Sequence, residues 1–180
     1  MLLLWAALLW AGIWAWQQPY LQAMRMIWQL NREPPPTHLP VPVQDVPAER
    51  IADTWGGARS GGRRHEGVDI FAQRGTPVRS TTQGVVMSVA EYGIGGKHVW
   101  VLGPGGERHY YAHLQDWAPQ LQRLSVVQPG TVLGYVGDTG NAKGTPPHLH
   151  YGIYGSDGAY NPWPLLQANA THAAPQAPQE

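Results

Sequence analysis

Two prolines followed by H-x-H constrain this chain more than any other stretch. Pro146-Pro147 run directly into His148-Leu149-His150-Tyr151-Gly152-Ile153-Tyr154. Proline lacks an amide hydrogen and cannot sit in a helix interior, so the pair suits the start of a strand. Side chains alternate faces along a strand, which puts His148 and His150 on one face. On a helix the same spacing would splay the two rings by about 200°. A second pair, His65 and Asp69, is spaced H-x-x-x-D in His65-Glu66-Gly67-Val68-Asp69-Ile70-Phe71. Extended chain puts these two on one face as well, and Gly67 permits the bend that would bring them together. Between the pairs lies His113, in Tyr110-Tyr111-Ala112-His113-Leu114.

The chain has no cysteine, so a transition-metal site must use nitrogen and oxygen. Imidazole and carboxylate donors on a tetrahedral site point to zinc. Formal net charge is zero, with no basic block, which argues against a nucleic-acid partner. Glycine and proline are abundant, at 22 and 17 residues, which favours short strands joined by turns over long helices. Strands are predicted over Val85–Glu91, Lys97–Leu102, Glu107–Leu114, Thr131–Val136 and His148–Tyr154. Gly103-Pro104-Gly105-Gly106 turns the second into the third as a hairpin. Alternation in that third strand places His109, Tyr111 and His113 on one face. His109 is expected to be a packing or surface histidine, and His98 to be ordinary too. Tyr111 is a candidate extra donor at the site. Helix-period runs are absent from this region.

His65-Glu66-Gly67-Val68-Asp69-Ile70, Tyr111-Ala112-His113-Leu114, and Gly137-Asp138-Thr139-Gly140-Asn141 leading to Pro146-Pro147-His148-Leu149-His150 occur in that order. In these motifs residues 55–166 resemble the lysostaphin-type (LytM-like) zinc metallopeptidases, which cut peptide cross-links in bacterial cell walls. Trp55 stands where an aromatic residue often precedes the glycine-rich entry loop of that family. The resemblance implies a mainly β fold, an antiparallel sheet with the site on the floor of an open groove. It implies one Zn2+ per chain, with His65, Asp69 and His150 as ligands and His113 and His148 as catalytic histidines. It implies a peptidoglycan peptide as substrate. Two imidazoles and a carboxylate leave one tetrahedral position open for chemistry. Which of His113 and His148 is the general base stays open. His65-Glu66 begins like H-E-x-x-H, but Asp69 breaks that helical zinc motif, so Glu66 is not assigned as a base. The alternatives are a non-catalytic regulator of cell-wall amidases, against which all five intact positions argue, and a secreted zinc protease acting on other peptides.

Gly56–Arg64 is a glycine-rich loop without either phosphate-binding spacing, so it is expected to line a peptide groove. Its arginines, Arg59, Arg63 and Arg64, are solvated or else hold a substrate carboxylate.

The chain divides into four expected parts: residues 1–30, 31–49, 50–166 and 167–180. Leu2 to Trp16 is uninterrupted by charge but shorter than the roughly 18–20 apolar residues of a full span. It is long enough for a signal-peptide core, yet no Lys or Arg precedes it, and the first cation is Arg25. Anchor, cleaved signal, mis-assigned start and buried helix all stay open. Membrane association through this segment, and a cell-envelope location, are what the resemblance favours, with the protein acting as a monomer. Leu21, Met24, Ile27 and Trp28 recur at helical spacing, predicting a short packing helix. Six prolines from Pro34 to Pro47 predict a stiff, extended spacer. After Leu166 the composition predicts a disordered tail.

Overall fold

The computed structural model describes residues 18–172 continuously, together with Trp5, Trp10 and Gly12. Most of the apolar run from Leu2 to Trp16 and the end of the expected tail, 173–180, lie outside the described residues. Among the described residues ten strands form: β1 (Val68–Phe71), β2 (Pro77–Arg79), β3 (Gly84–Glu91), β4 (Lys97–Leu102), β5 (Arg108–Ala112), β6 (Leu114–Trp117), β7 (Val126–Val127), β8 (Val132–Val136), β9 (His148–Gly155) and β10 (Gly158–Tyr160). Helices α1 (Pro19–Leu30) and α2 (Trp163–His172) flank them. All pairings are antiparallel. The main sheet runs β1-β9-β5-β4-β3-β7, with β10 also on β9, and the smaller one runs β2-β8-β6. The mainly antiparallel β architecture expected from the turn-rich sequence is therefore what forms.

The core follows from alternation. Val68 and Ile70 of β1, Val99 and Val101 of β4, Tyr111 of β5, and Leu149, Tyr151 and Ile153 of β9 are buried on one face of the main sheet. Val78, Leu114, Leu133 and Val136 of the smaller sheet join the same cluster. The opposite parity, Asp69, Trp100, Tyr110, His148, His150 and Tyr154, is left to line a groove.

Three expectations about the flanks need correction. The proline-rich stretch is no free spacer. Leu39 and Val43 are 1 % exposed and belong to the core. Leu39 N donates to Leu165 O (2.9 Å), Arg79 N to Pro42 O (2.7 Å) and Gln44 N to Pro77 O (3.0 Å). Pro40 and Pro42 have no amide to offer, but Leu39, Val41 and Val43 alternate with them as an apolar stripe, and burial of that stripe fixes the segment as a strap. The expected tail begins instead as α2. Asn161 Oδ1 accepts from Trp163 N (2.9 Å) at the helix start, and Pro164 falls in the first turn, where its missing amide costs nothing. Leu166 is buried, and Gln167 Nε2 donates to Ala48 O (2.7 Å). Finally, α1 does pack on the domain, but of the predicted stripe only Ile27 joins the contact. Ala23 and Leu30 are buried against Val85 of β3, with Met26 and Ile27 beside them. Tyr20, Leu21, Met24 and Trp28 are exposed. Helical spacing alone finds a face but cannot say which of two apolar faces turns inward.

Candidate metal centre and active-site groove

Gly67 decides how His65 and Asp69 meet. His65–Gly67 approach β1 from outside the sheet, and the ladder pairs Asp69 with His150 across β1 and β9. A Cβ at Gly67 would lie 2.6 Å from Tyr151 O and 2.7 Å from His150 Cε1, so only glycine allows this approach. His65 Nε2 then stands 3.0 Å from Asp69 Oδ1 and 2.8 Å from His150 Nδ1. His150 Nδ1 is 3.1 Å from Asp69 Oδ1.

The surroundings fix the chemistry of these atoms. His65 Nδ1 faces Thr54 O at 2.7 Å, and a carbonyl can only accept, so Nδ1 carries the hydrogen and neutral His65 presents a bare Nε2. Burial lowers the His150 pKa, and the charges of His65 and His148 add to this against the pull of Asp69. Burial would raise the Asp69 pKa, but hydrogen bonds from His150 and His65, and their charge, hold it well below the ordinary carboxylate range. Two imidazole nitrogens and a carboxylate oxygen thus point at one another, an arrangement that calls for a cation among them. His65, Asp69 and His150 would hold such an ion, and two imidazole nitrogens with one carboxylate oxygen are a donor set that zinc takes. Among the described residues this is the one group of three such donors that can hold a metal.

His113 and His148 flank the triad. Their ring centroids are 5.1 Å apart, and His113 is 5.8 Å from the His150 ring. His113 Nδ1 donates to Thr139 O (2.9 Å) and His148 Nδ1 to Pro146 O (2.8 Å). Each ring is thereby held in the tautomer that leaves Nε2 as its free acceptor. Burial, with the charges of His150 and His148, lowers the His113 pKa to about 4, so this ring is neutral near pH 7.

Residues 63–162 match the description of peptidase family M23. The chain belongs to that family. The chain is 41% identical over 140 residues to an L-Ala–D-Glu endopeptidase of Bacillus subtilis, covering 72% of this chain and 42% of that protein. It is 32% identical over 113 residues to a glycyl-glycine endopeptidase of Staphylococcus capitis, covering 59% and 30%. The chain spans less than half the length of either relative. Among solved structures, the catalytic domain of lysostaphin from Staphylococcus simulans superposes with a TM-score of 0.57 at 29% identity, covering 66% of this chain and 92% of that one. A glycyl-glycine endopeptidase-like protein of Ruminococcus gnavus gives 0.61 at 33% identity, covering 84% and 65%. The fold is thus that of the LytM and lysostaphin-type peptidases.

His65, Asp69, His113, His148 and His150 all line one groove of about 810 Å3. Strand alternation would have put His113 with His109 and Tyr111 on the core side. The backbone of His113 instead turns left-handed, at φ 62°, and breaks the predicted Glu107–Leu114 strand into β5 and β6. Tyr111 is therefore not at the site. It is fully buried behind the sheet, where its hydroxyl meets Thr81 Oγ1 at 2.8 Å. His109 packs there too, 2.8 Å from Tyr151 Oη, with its pKa lowered to about 4 by burial.

Several contributors have roles that the sequence does not assign: Arg59, expected to be solvated or to hold a substrate carboxylate, instead pairs with Asp69, and Thr139 stands out in the sequence only as part of a motif. Arg59 Nη2 donates to Asp69 Oδ2 at 2.6 Å, which turns Oδ1 toward the histidines. Thr139 receives the His113 ring on its carbonyl while its hydroxyl donates to Leu114 O at 2.9 Å and accepts from Lys97 N at 2.9 Å. That double role ties the Gly137–Asn141 segment to the His113 ring. One groove wall is aromatic: Trp100 stacks on Tyr110 at 4.3 Å and meets Tyr154 at 5.1 Å. Burial pushes the Tyr110 and Tyr154 pKa values up to about 12, with neighbouring tyrosines adding at Tyr110 and Glu66 at Tyr154, so both phenols stay protonated donors.

Proposed function

We propose that this protein is a zinc-dependent endopeptidase that hydrolyses peptide links of bacterial peptidoglycan. In this reading His65, Asp69 and His150 hold the ion, and His113 and His148 act on the substrate. The observation that carries it is the convergence of three electron-rich donors, 2.8–3.1 Å apart, beside two imidazoles with tethered Nδ1 atoms. Zinc, when bound, supplies Lewis-acid polarisation of the scissile carbonyl and a nucleophile available at neutral pH. The protein does the rest. His113, neutral near pH 7, takes a proton on Nε2 and can return it to the leaving amine. His148 shares that proton traffic from the adjacent position. The carbonyls of Thr139 and Pro146 keep both rings aimed throughout. Tyr110 and Tyr154 line the groove, with the Tyr154 hydroxyl donating toward Glu66 Oε2 at 3.5 Å.

The relatives' names support a wall-peptide substrate and differ in the bond they specify. Digestion of purified sacculi, with mass spectrometry of the released fragments, tests the activity against casein as the unrelated peptide. Metal analysis of the same preparation should find about one zinc per chain, from the single three-donor set among the described residues. A preparation that takes up no zinc at neutral pH and releases no wall fragment overturns the reading. The whole chain is the right material, because α1, the strap and α2 all pack on the M23 domain.

We further place the protein, as a monomer, at the cell envelope. No helix among the described residues is long and apolar enough to cross a membrane. Attachment in this reading rests on the uncharged run from Leu2 to Trp16 and on the exposed aromatic face of α1. Co-sedimentation with lipid vesicles, lost on removal of residues 1–17, is the expected result, and sedimentation equilibrium checks the monomer.

A further inference from the structure

We propose that Arg63 and Arg64 form a carboxylate-binding subsite, and that the peptide taken by this groove carries a free carboxylate beside the bond to be cut. This deepens the endopeptidase reading and rests on it. The argument starts from the loop. Ala58 pairs with Arg64 in an isolated bridge, and Arg59 N donates to Arg63 O at 2.9 Å. Gly56 N donates to His65 O at 2.9 Å, and His65 N to Gly57 O at 2.8 Å. Gly61 and Gly62, at φ 71° and 73°, close the turn in a conformation that side chains rarely adopt. The two arginines therefore project from a pinned hairpin that runs directly into the ligand His65.

Their charges are not consumed inside the protein. Arg59 is spent on Asp69, and Arg74 on Asp138 at 2.7 Å. Arg63 Nε donates to Ser60 O at 3.2 Å and Arg64 Nη1 to Gly56 O at 3.1 Å, both neutral acceptors. Neither forms an ion pair among the described residues. A guanidinium has five N–H donors, so most of each fork remains available. Among the charged lining residues, Asp69 is paired with Arg59, and Glu66 is a second carboxylate, 3.5 Å from the Tyr154 hydroxyl. Three arginines against two carboxylates leave a cationic excess on the His65 side. Trp100, Tyr110, Phe71 and Ile94 supply the apolar part of the lining. A glutamyl residue keeps one of its two carboxyl groups free within a peptide, and planar guanidinium forks bind that group in bidentate fashion. A glycine bridge offers no such group.

The test uses the full chain and two synthetic peptides that differ at one position. One carries L-Ala–γ-D-Glu–L-Lys with its free carboxylate, and the other carries the corresponding amide. Binding is measured by calorimetry, and kcat/KM by product analysis on the zinc-reconstituted protein. The carboxylate peptide should bind and turn over about 10- to 100-fold better, mostly through KM, the scale of charge-assisted hydrogen bonds at a partly exposed site. R63Q/R64Q should abolish the preference while keeping its zinc content and its affinity for the amide peptide. R63K/R64K should recover part of it, as point charges without the fork. Equal affinity of the unaltered protein for the two peptides overturns the subsite, as does a preference that survives in R63Q/R64Q. Selective binding with no cleavage of peptide or sacculi leaves the subsite standing and overturns the endopeptidase reading. Cleavage of sacculi with no carboxylate preference does the reverse.

Discussion

At φ 62° the backbone of His113 lies in a region that side-chain-bearing residues rarely adopt, and two hydrogen bonds hold it there. Its amide donates to Gly95 O at 2.9 Å and its ring to Thr139 O at 2.9 Å. Loss of the ring should leave the metal donors untouched. His113→Ala is therefore expected to keep its zinc while kcat falls by about 10²–10⁴-fold, the range for a lost acid–base group. His148→Ala should behave alike. Asp69→Ala and His150→Ala should instead lose metal and activity together, because two remaining donors hold zinc weakly. Metal analysis beside steady-state kinetics separates the two classes, and zinc lost from His148→Ala but retained by His150→Ala would exchange their roles. Residue-scale legibility divides the same way. Asp69, His148 and His150 could be placed from strand alternation, because β1 and β9 are regular where these residues sit. His113 could not, because one left-handed residue moves a side chain to the other face, and nothing in Ala112-His113-Leu114 announces it. The same omission put Tyr111 at the site when it is buried behind it.

Elements succeed or fail on close approach. At Gly67 an added Cβ would meet the Tyr151 carbonyl and the His150 ring, so Gly67→Ala must push β1 away from β9 at Asp69 and His150. Its expected signature is weakened zinc binding together with a lowered Tm, whereas a loop glycine with open space around it, such as Gly75, serves as the comparison for strain alone. On the other side of the molecule, Leu30 closes the small cluster between α1 and β3. Leu30→Ala should cost roughly 2–5 kcal/mol in denaturant unfolding, as buried Leu→Ala changes do, with zinc content unchanged. A negligible effect would mean that α1 is not part of the cooperative unit. The strands were legible because turn residues bracket apolar alternation. The strap and α2 were not, because proline and alanine-rich composition says nothing of a neighbouring surface, and burial of Leu39, Val43 and Leu166 overrides it.

The whole molecule carries a titration behind its site. His109 is buried, and burial lowers its pKa from 6.5 to about 4. The unfolded chain then binds more protons than the folded one between those values, so stability rises with pH across that window. It is complete above pH 6.5 and lost as pH falls toward 4. The single group is worth on the order of 3 kcal/mol. His109→Gln should flatten the acid limb of a plot of unfolding free energy against pH from 4 to 7, and an unchanged limb would assign acid sensitivity elsewhere.

The strap has a mechanical consequence. A chain of free prolines would act as a leash, letting a catalytic head sweep a volume around its attachment point. Leu39 and Val43 in the core, with α1 seated on β3, make a bracket instead. Any grip on α1 would reach the groove through packed contacts, so a fixed grip would fix the groove's reach and bearing as well.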